Sequence, residues 1–181
     1  MKYILIFALL TSNFSLLSAQ PLETIIKSQA IQMGKAMVVG DTKTFSNFML
    51  PELMAAGGGG ERAMQQMDSA INLFKQFGGQ VSRITYGQPA KIVKYKKELQ
   101  TYLPQTTELT SDIADVTFTS SIVAISRDNG KNWYFYDANM MKAQNIKDKL
   151  PALSPDIKIP PGEKPKINMK QEMPGKEGGS D

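Results

Sequence analysis

The sequence predicts an α+β domain in which helices come first and an antiparallel sheet comes after them. Up to Phe77 the apolar residues recur at three- and four-residue spacings, and from Val81 onward they alternate with a period of two. The two periods are segregated along the chain instead of interleaved. That order fits helices packed on an antiparallel sheet and not alternating parallel units. A third observation bounds the domain: an export-type leader precedes the helices, and a Pro-rich segment without aromatic residues succeeds the strands.

The leader is residues 1–19. Lys2 stands before an apolar run from Tyr3 to Leu10, and Leu17-Ser18-Ala19 gives a small-x-small close. The run is well short of the roughly 20 residues needed for a membrane span, and Thr11, Ser12, Asn13 and Ser15 dilute the stretch after it. Cleavage is expected after Ala19, with Gln20 as the mature N-terminus. The chain has no cysteine, so it has neither a lipid-attachment residue nor disulfides. The expected location is secreted or periplasmic, without a membrane span.

The domain is expected over residues 20–150. Leu22, Ile26, Gln29, Met33 and Met37 form one helical stripe, which Gly40 ends. Asp41 is placed to cap a short second helix carrying Phe45, Phe48 and Met49, and Pro51 starts a further turn over Glu52 to Ala55. After Gly57 to Gly60, a longer helix is read from Ala63, Met67, Ala70 or Ile71, Phe74 and Phe77, closed by Gly78 and Gly79.

Strands are expected at Val81–Tyr86, Lys91–Tyr95 and Leu99–Leu109, with Pro104 marking a bulge or an edge in the third. Residues 112–126 alternate most clearly, with Ala114, Val116, Phe118, Ser120, Ile122 and Ala124 on one face and Thr117, Thr119, Val123 and Ile125 on the other. Asp128-Asn129-Gly130 turns the chain into a hairpin partner over Lys131–Asp137, and a last helix is expected from about Met140 to Leu150. From Pro151 to Asp181 six prolines and many Lys, Glu and Gly leave little apolar material to offset ordering entropy. This tail is read as disordered from about residue 160, with Ile157 and Ile159 lying against the domain.

Composition excludes several chemistries. With neither His nor Cys, the usual zinc ligand sets, cysteine nucleophiles and the Ser-His-Asp triad are ruled out. Gly57–Gly60 runs into Glu61-Arg62 and lacks the Lys-Ser/Thr that completes a phosphate loop. The formal charge is +4, but Lys and Arg are scattered among acids, and the densest group, Lys91, Lys94, Lys96 and Lys97, suits the solvent side of a strand. No catalytic residue, metal, cofactor or nucleic-acid partner is expected.

The order of elements resembles the nuclear transport factor 2-like (ketosteroid isomerase-like, SnoaL-like) cone-fold superfamily over residues 21–138. The elements concerned are an amphipathic first helix, a Gly40-Asp41 break, a short helix carrying Phe45 and Phe48 into Pro51, a Gly-rich link, and a third long helix before a strand meander. The resemblance implies a curved, cystatin-like sheet wrapped around the first helices, with a pocket between them. Enzymes of that class use His or Asp dyads, and without histidine no catalytic residue carries over. If the cone is adopted, Met33 and Met37 would face Tyr102, Phe118, Trp133 and Phe135, which become the candidate pocket lining.

Ser126-Arg127-Asp128-Asn129-Gly130-Lys131-Asn132-Trp133 resembles the Asp-box hairpin of sialidase-type propellers. There Ser and Asp bond the turn backbone, Gly takes positive φ and Trp packs over the hairpin. A propeller repeats the unit in each blade, whereas here it occurs once, so Ser126, Asp128, Gly130 and Trp133 are assigned a structural role. Three function classes are compatible with these residues: a non-enzymatic exported binding domain for a small apolar molecule or an envelope protein, a general-base enzyme using Asp or Tyr, or an assembly module. A dimer is compatible with each.

Overall fold

The computed structural model describes residues 20–142 and 147–170. The expected leader, 1–19, and the end of the tail, 171–181, lie outside them. Helix α1 spans Leu22–Val39, followed by α2 (Thr42–Ser46), α3 (Pro51–Ala56) and α4 (Gly60–Gln76). Strands β1 (Gln80–Tyr86), β2 (Val93–Tyr95), β3 (Glu98–Thr110), β4 (Ala114–Ser126), β5 (Tyr134–Asp137) and β6 (Lys166–Met169) complete the order. The fold is α+β, with N-terminal helices packed on a curled antiparallel sheet.

The sheet runs β1-β3-β4-β5, with β2 beside β3 and β6 beside β4. Strands β3 and β4 form its spine, paired without a break from Leu99 opposite Ser126 to Thr110 opposite Asp115. Pro104 therefore marks no bulge in this ladder; on its other side it stands in the gap between the β1 ladder, which stops at Gln105, and the β2 ladder, which stops at Gln100, a local edge of β3. Its carbonyl accepts from the Gly87 amide, so its missing N–H also faces the 87–90 connection between β1 and β2, where no ladder bond is lost. A register shift between Val81 and Arg83 in the β1–β3 pair supplies the irregularity instead.

Period-two alternation places a core on each face of the sheet. On the concave face Ile122, Ala124, Leu103 and Phe135 pack with Ile26, Ala30 and Met33 of α1. On the other face Val123, Ile125 and Tyr136 pack with Leu50 and Leu53, joined by Leu150, Leu153 and Ile159. A bond from the Phe135 amide to the Phe48 carbonyl (2.7 Å) ties the α2–α3 link to the sheet.

Two expectations change. The residues between Met140 and Leu150 form no α-helix where described. Short 3-10 turns cover Ala138–Lys142 and Lys147–Lys149, while 143–146 lie outside the described residues. Helix α4 forms as expected, yet none of its residues is buried, and Leu73 and Phe77 are 55% and 75% exposed. Ile159 lies against the second core as expected, joined by Leu153, but order continues past residue 160 as far as Lys170, where β6 pairs with Ala114–Thr117 of β4. The physical reason is an open edge, because β5 pairs only with Ile122–Ile125 and leaves the first half of β4 unpartnered on that side. All four β6 side chains are exposed, so backbone bonds hold it.

Candidate functional site

The 127–133 hairpin is organised by two short side chains. Ser126 Oγ accepts from the Gly130 amide (2.9 Å) and donates to Asp128 Oδ1 (2.9 Å). Asp128 Oδ1 also accepts from the amides of Lys131 (3.1 Å) and Asn132 (3.0 Å), while Oδ2 takes the Asn132 side-chain amide (2.6 Å). Partial burial works against the Asp128 charge, but the Asn132, Ser126 and Lys131 donors outweigh it and hold the carboxyl below its usual range. Gly130 sits at φ +89°, a conformation that strains any L side chain, and a Cβ there would also press on the end of the Leu22 side chain.

Trp133 lies beneath this hairpin at 1% exposure, its Nε1 donating to the Gly130 carbonyl (3.0 Å). Gln29 of α1 closes the arrangement: its Oε1 accepts from the Trp133 amide (2.8 Å) and its Nε2 donates to the Lys131 carbonyl (2.8 Å). Beside it Arg127 bonds Glu98 (2.9 Å) and Glu52, bracing α3 against β3. Ser126, Asp128 and the Trp133 indole thus direct their polar atoms at the hairpin itself, chiefly at its backbone.

A cavity of about 350 Å³ opens elsewhere on the concave face, between α1, α2 and the sheet. Met33, Met37, Phe45 and Met49 wall it on the helical side, and Val81, Ile84, Leu109, Phe118, Ile122 and Phe135 on the sheet side. Four of the expected lining residues, Met33, Met37, Phe118 and Phe135, are brought together here. Two are not. Tyr102 pairs with Val123, which belongs to the opposite core, so strand alternation puts Tyr102 on the other face of the sheet. Trp133 shares the concave core but is held under the hairpin by Gly130 and Gln29, away from the cavity.

The sheet side of the cavity carries polar groups that sequence reasoning missed, Tyr86, Gln105, Thr107 and Asp137, with Ser120 linking them from outside the lining. Tyr86 pairs with Gln105, Gln105 pairs with Ser120, and Ser120 Oγ donates to Asp137 Oδ2 (3.1 Å), so one rung runs across β1, β3, β4 and β5. Thr107 adds a hydroxyl, taking the Gln105 side-chain amide at 3.2 Å. Asp137 Oδ1 accepts from the Asn139 amide (2.7 Å). A signal existed in the alternation: Asp137 is in phase with Phe135, Tyr86 with Ile84, and Gln105 with Leu103 and Leu109. The same parity argues against Tyr102.

Tyr86 is 8% exposed, and its hydroxyl has no hydrogen-bond partner among the described residues. Burial pushes that hydroxyl well above the usual tyrosine range. Its ring lies so close to α1 that a Cβ on Gly34 would come within 2.8 Å of the hydroxyl, so Gly34 permits the contact.

The arrangement can enclose an apolar body and offer it a line of hydrogen-bonding groups. Among the described residues no cluster of acidic side chains has metal-ligand geometry, and no helix is long and apolar enough to cross a membrane. No protein-family model, curated protein or solved structure matches the chain.

Proposed function

We propose that this chain is an exported, non-enzymatic binding domain of the nuclear transport factor 2-like class that holds a small apolar molecule in its concave cavity. One observation carries the reading. The cavity between α1, α2 and the curled sheet is walled by Met and Phe side chains and carries the polar groups of Tyr86, Gln105, Thr107 and Asp137 on its lining. Its volume falls within the range of small-molecule sites, about 300–1,000 Å³, where apolar walls supply affinity and a few polar groups fix orientation. Flexible thioethers at Met33, Met37 and Met49 suit a wall that adapts to its contents. Leader-directed export and the element order support the compartment and class.

A general-base enzyme is the second reading, because Asp137 places a carboxylate on the concave face. Both Asp137 oxygens already accept hydrogen bonds from the protein, Ser120 and Asn139, which suits an anchor better than a group that must take up and release a substrate proton.

Titration with the neutral fluorescent probe N-phenyl-1-naphthylamine tests the binding reading. The protein should bind it with enhanced, blue-shifted emission, and Met37→Trp, which fills the cavity from its partly exposed wall, should abolish binding while the fold persists. Undiminished binding by Met37→Trp would refute the cavity as the site.

A further inference from the structure

The concave cavity carries charge at one point. Among the described residues Asp137 is the only carboxylate in its lining, and that lining contains no Lys or Arg. Asp137 lies in register with Ile122 and in phase with Phe135, so it faces the cavity side of the sheet. Its two donors, the Ser120 hydroxyl and the Asn139 amide, are uncharged, and it enters no ion pair among the described residues. A carboxylate has about four lone-pair sites, so about two remain open.

Asp137 is half-buried, so an apolar ligand filling the cavity would take water from its carboxylate, which is disfavoured unless the ligand itself brings a cation or further donors. The two neutral donors fix its orientation and leave its charge unmatched. Phe45, Phe118 and Phe135 line the same cavity together with polarizable methionines, and aromatic rings attract a cation that meets their faces. An anionic amphiphile would bring a like charge into the same cleft with no Lys or Arg to offset it.

We infer that the cavity selects apolar amines, with the hydrocarbon or aromatic body between α1 and the sheet and the ammonium group on Asp137. This rests on the reading of the cavity as a ligand site. It adds the chemical class of the ligand, which apolarity alone does not specify. Charge-assisted hydrogen bonds are about twice as strong as neutral ones, so an amine should outbind its isosteric alcohol by roughly tenfold.

The test is displacement of N-phenyl-1-naphthylamine from the full chain at neutral pH by three probes of equal length: octylamine, octan-1-ol and octanoate. Octylamine should displace at roughly tenfold lower concentration than the alcohol, with octanoate weakest. Asp137→Asn should bring amine and alcohol to the same midpoint, and raised salt should narrow their separation in the unaltered protein. Equal displacement by all three, or octanoate ranking first, overturns the inference, as does an amine preference that survives Asp137→Asn. The ranking on the unaltered protein decides the matter if the variant fails to fold. Failure of the fluorescent probe itself to bind marks the separate failure of the cavity as a ligand site, and the inference falls with it.

Discussion

Replacing Trp133 by alanine should cost this protein more stability than any other single change in the hairpin. The indole is 1% exposed beneath the 127–133 turn. Burying an aromatic of this size removes about 200 Å² from water, worth about 5 kcal/mol at ~25 cal/mol per Å². Measured truncations of buried Trp or Phe to Ala cost about 3–5 kcal/mol. The substitution also strips the Gly130 carbonyl of its Nε1–H donor at a buried position, which costs about 1 kcal/mol more. For a domain of this size each kcal/mol moves the melting temperature by roughly 2–4 °C, so a fall of about 10 °C or more is expected. Asp128→Ala removes four hydrogen bonds, but three of them are solvent-exposed, where water replaces them, and only the one from buried Ser126 lacks that replacement, so about 1–2 kcal/mol is expected. The assay is urea and thermal unfolding followed by circular dichroism. Trp133 is the sole tryptophan, so in the unaltered protein its emission should be blue-shifted and move red on unfolding. A loss under about 1 kcal/mol for Trp133→Ala, or a larger loss for Asp128→Ala, would refute the packing argument.

Four further outcomes are expected of the same structure. Tyr86→Phe removes a buried hydroxyl without a partner among the described residues and should hold or raise stability at neutral pH by up to about 1 kcal/mol, measured by urea unfolding. Burial raises the Tyr86 hydroxyl, so its contribution is present below the usual tyrosine range and lost as pH climbs past about 10; Tyr86→Phe should flatten that alkaline limb in a pH series of thermal melts. At the acid end, Asp128, Glu52, Asp115 and Asp41 are all held below their usual values by hydrogen bonds or cations, so stability is present at neutral pH and should fall as pH drops below about 4, visible in acid titration by circular dichroism. Deleting residues 162–181 removes β6, whose side chains are exposed, and should lower the melting temperature by only a few degrees while baring the β4 edge, which light scattering would report as self-association.

What the sequence determined by itself is the local order. Hydrophobic period fixes element type because a helix repeats every 3.6 residues and a strand every two. The stripe from Leu22 to Met37, the Asp41 cap that accepts from Thr44, and the alternation of residues 114–126 were therefore legible, as was the fold class. The hairpin was legible too, since Ser126, Asp128, Gly130 and Trp133 act within eight residues of one another. The tertiary structure decided what depends on pairing between distant segments. Register set Tyr102 opposite Val123 and so on the far face, and it aligned Tyr86, Gln105, Ser120 and Asp137, from four separate strands, into one row. The shortness of β5 opened the β4 edge that β6 occupies, which no property of residues 166–169 announces. Helix α4 shows the same limit from the other side. Its sequence is amphipathic whatever surrounds it, but whether its apolar face is covered depends on what packs there, and here Leu73 and Phe77 stay in contact with water.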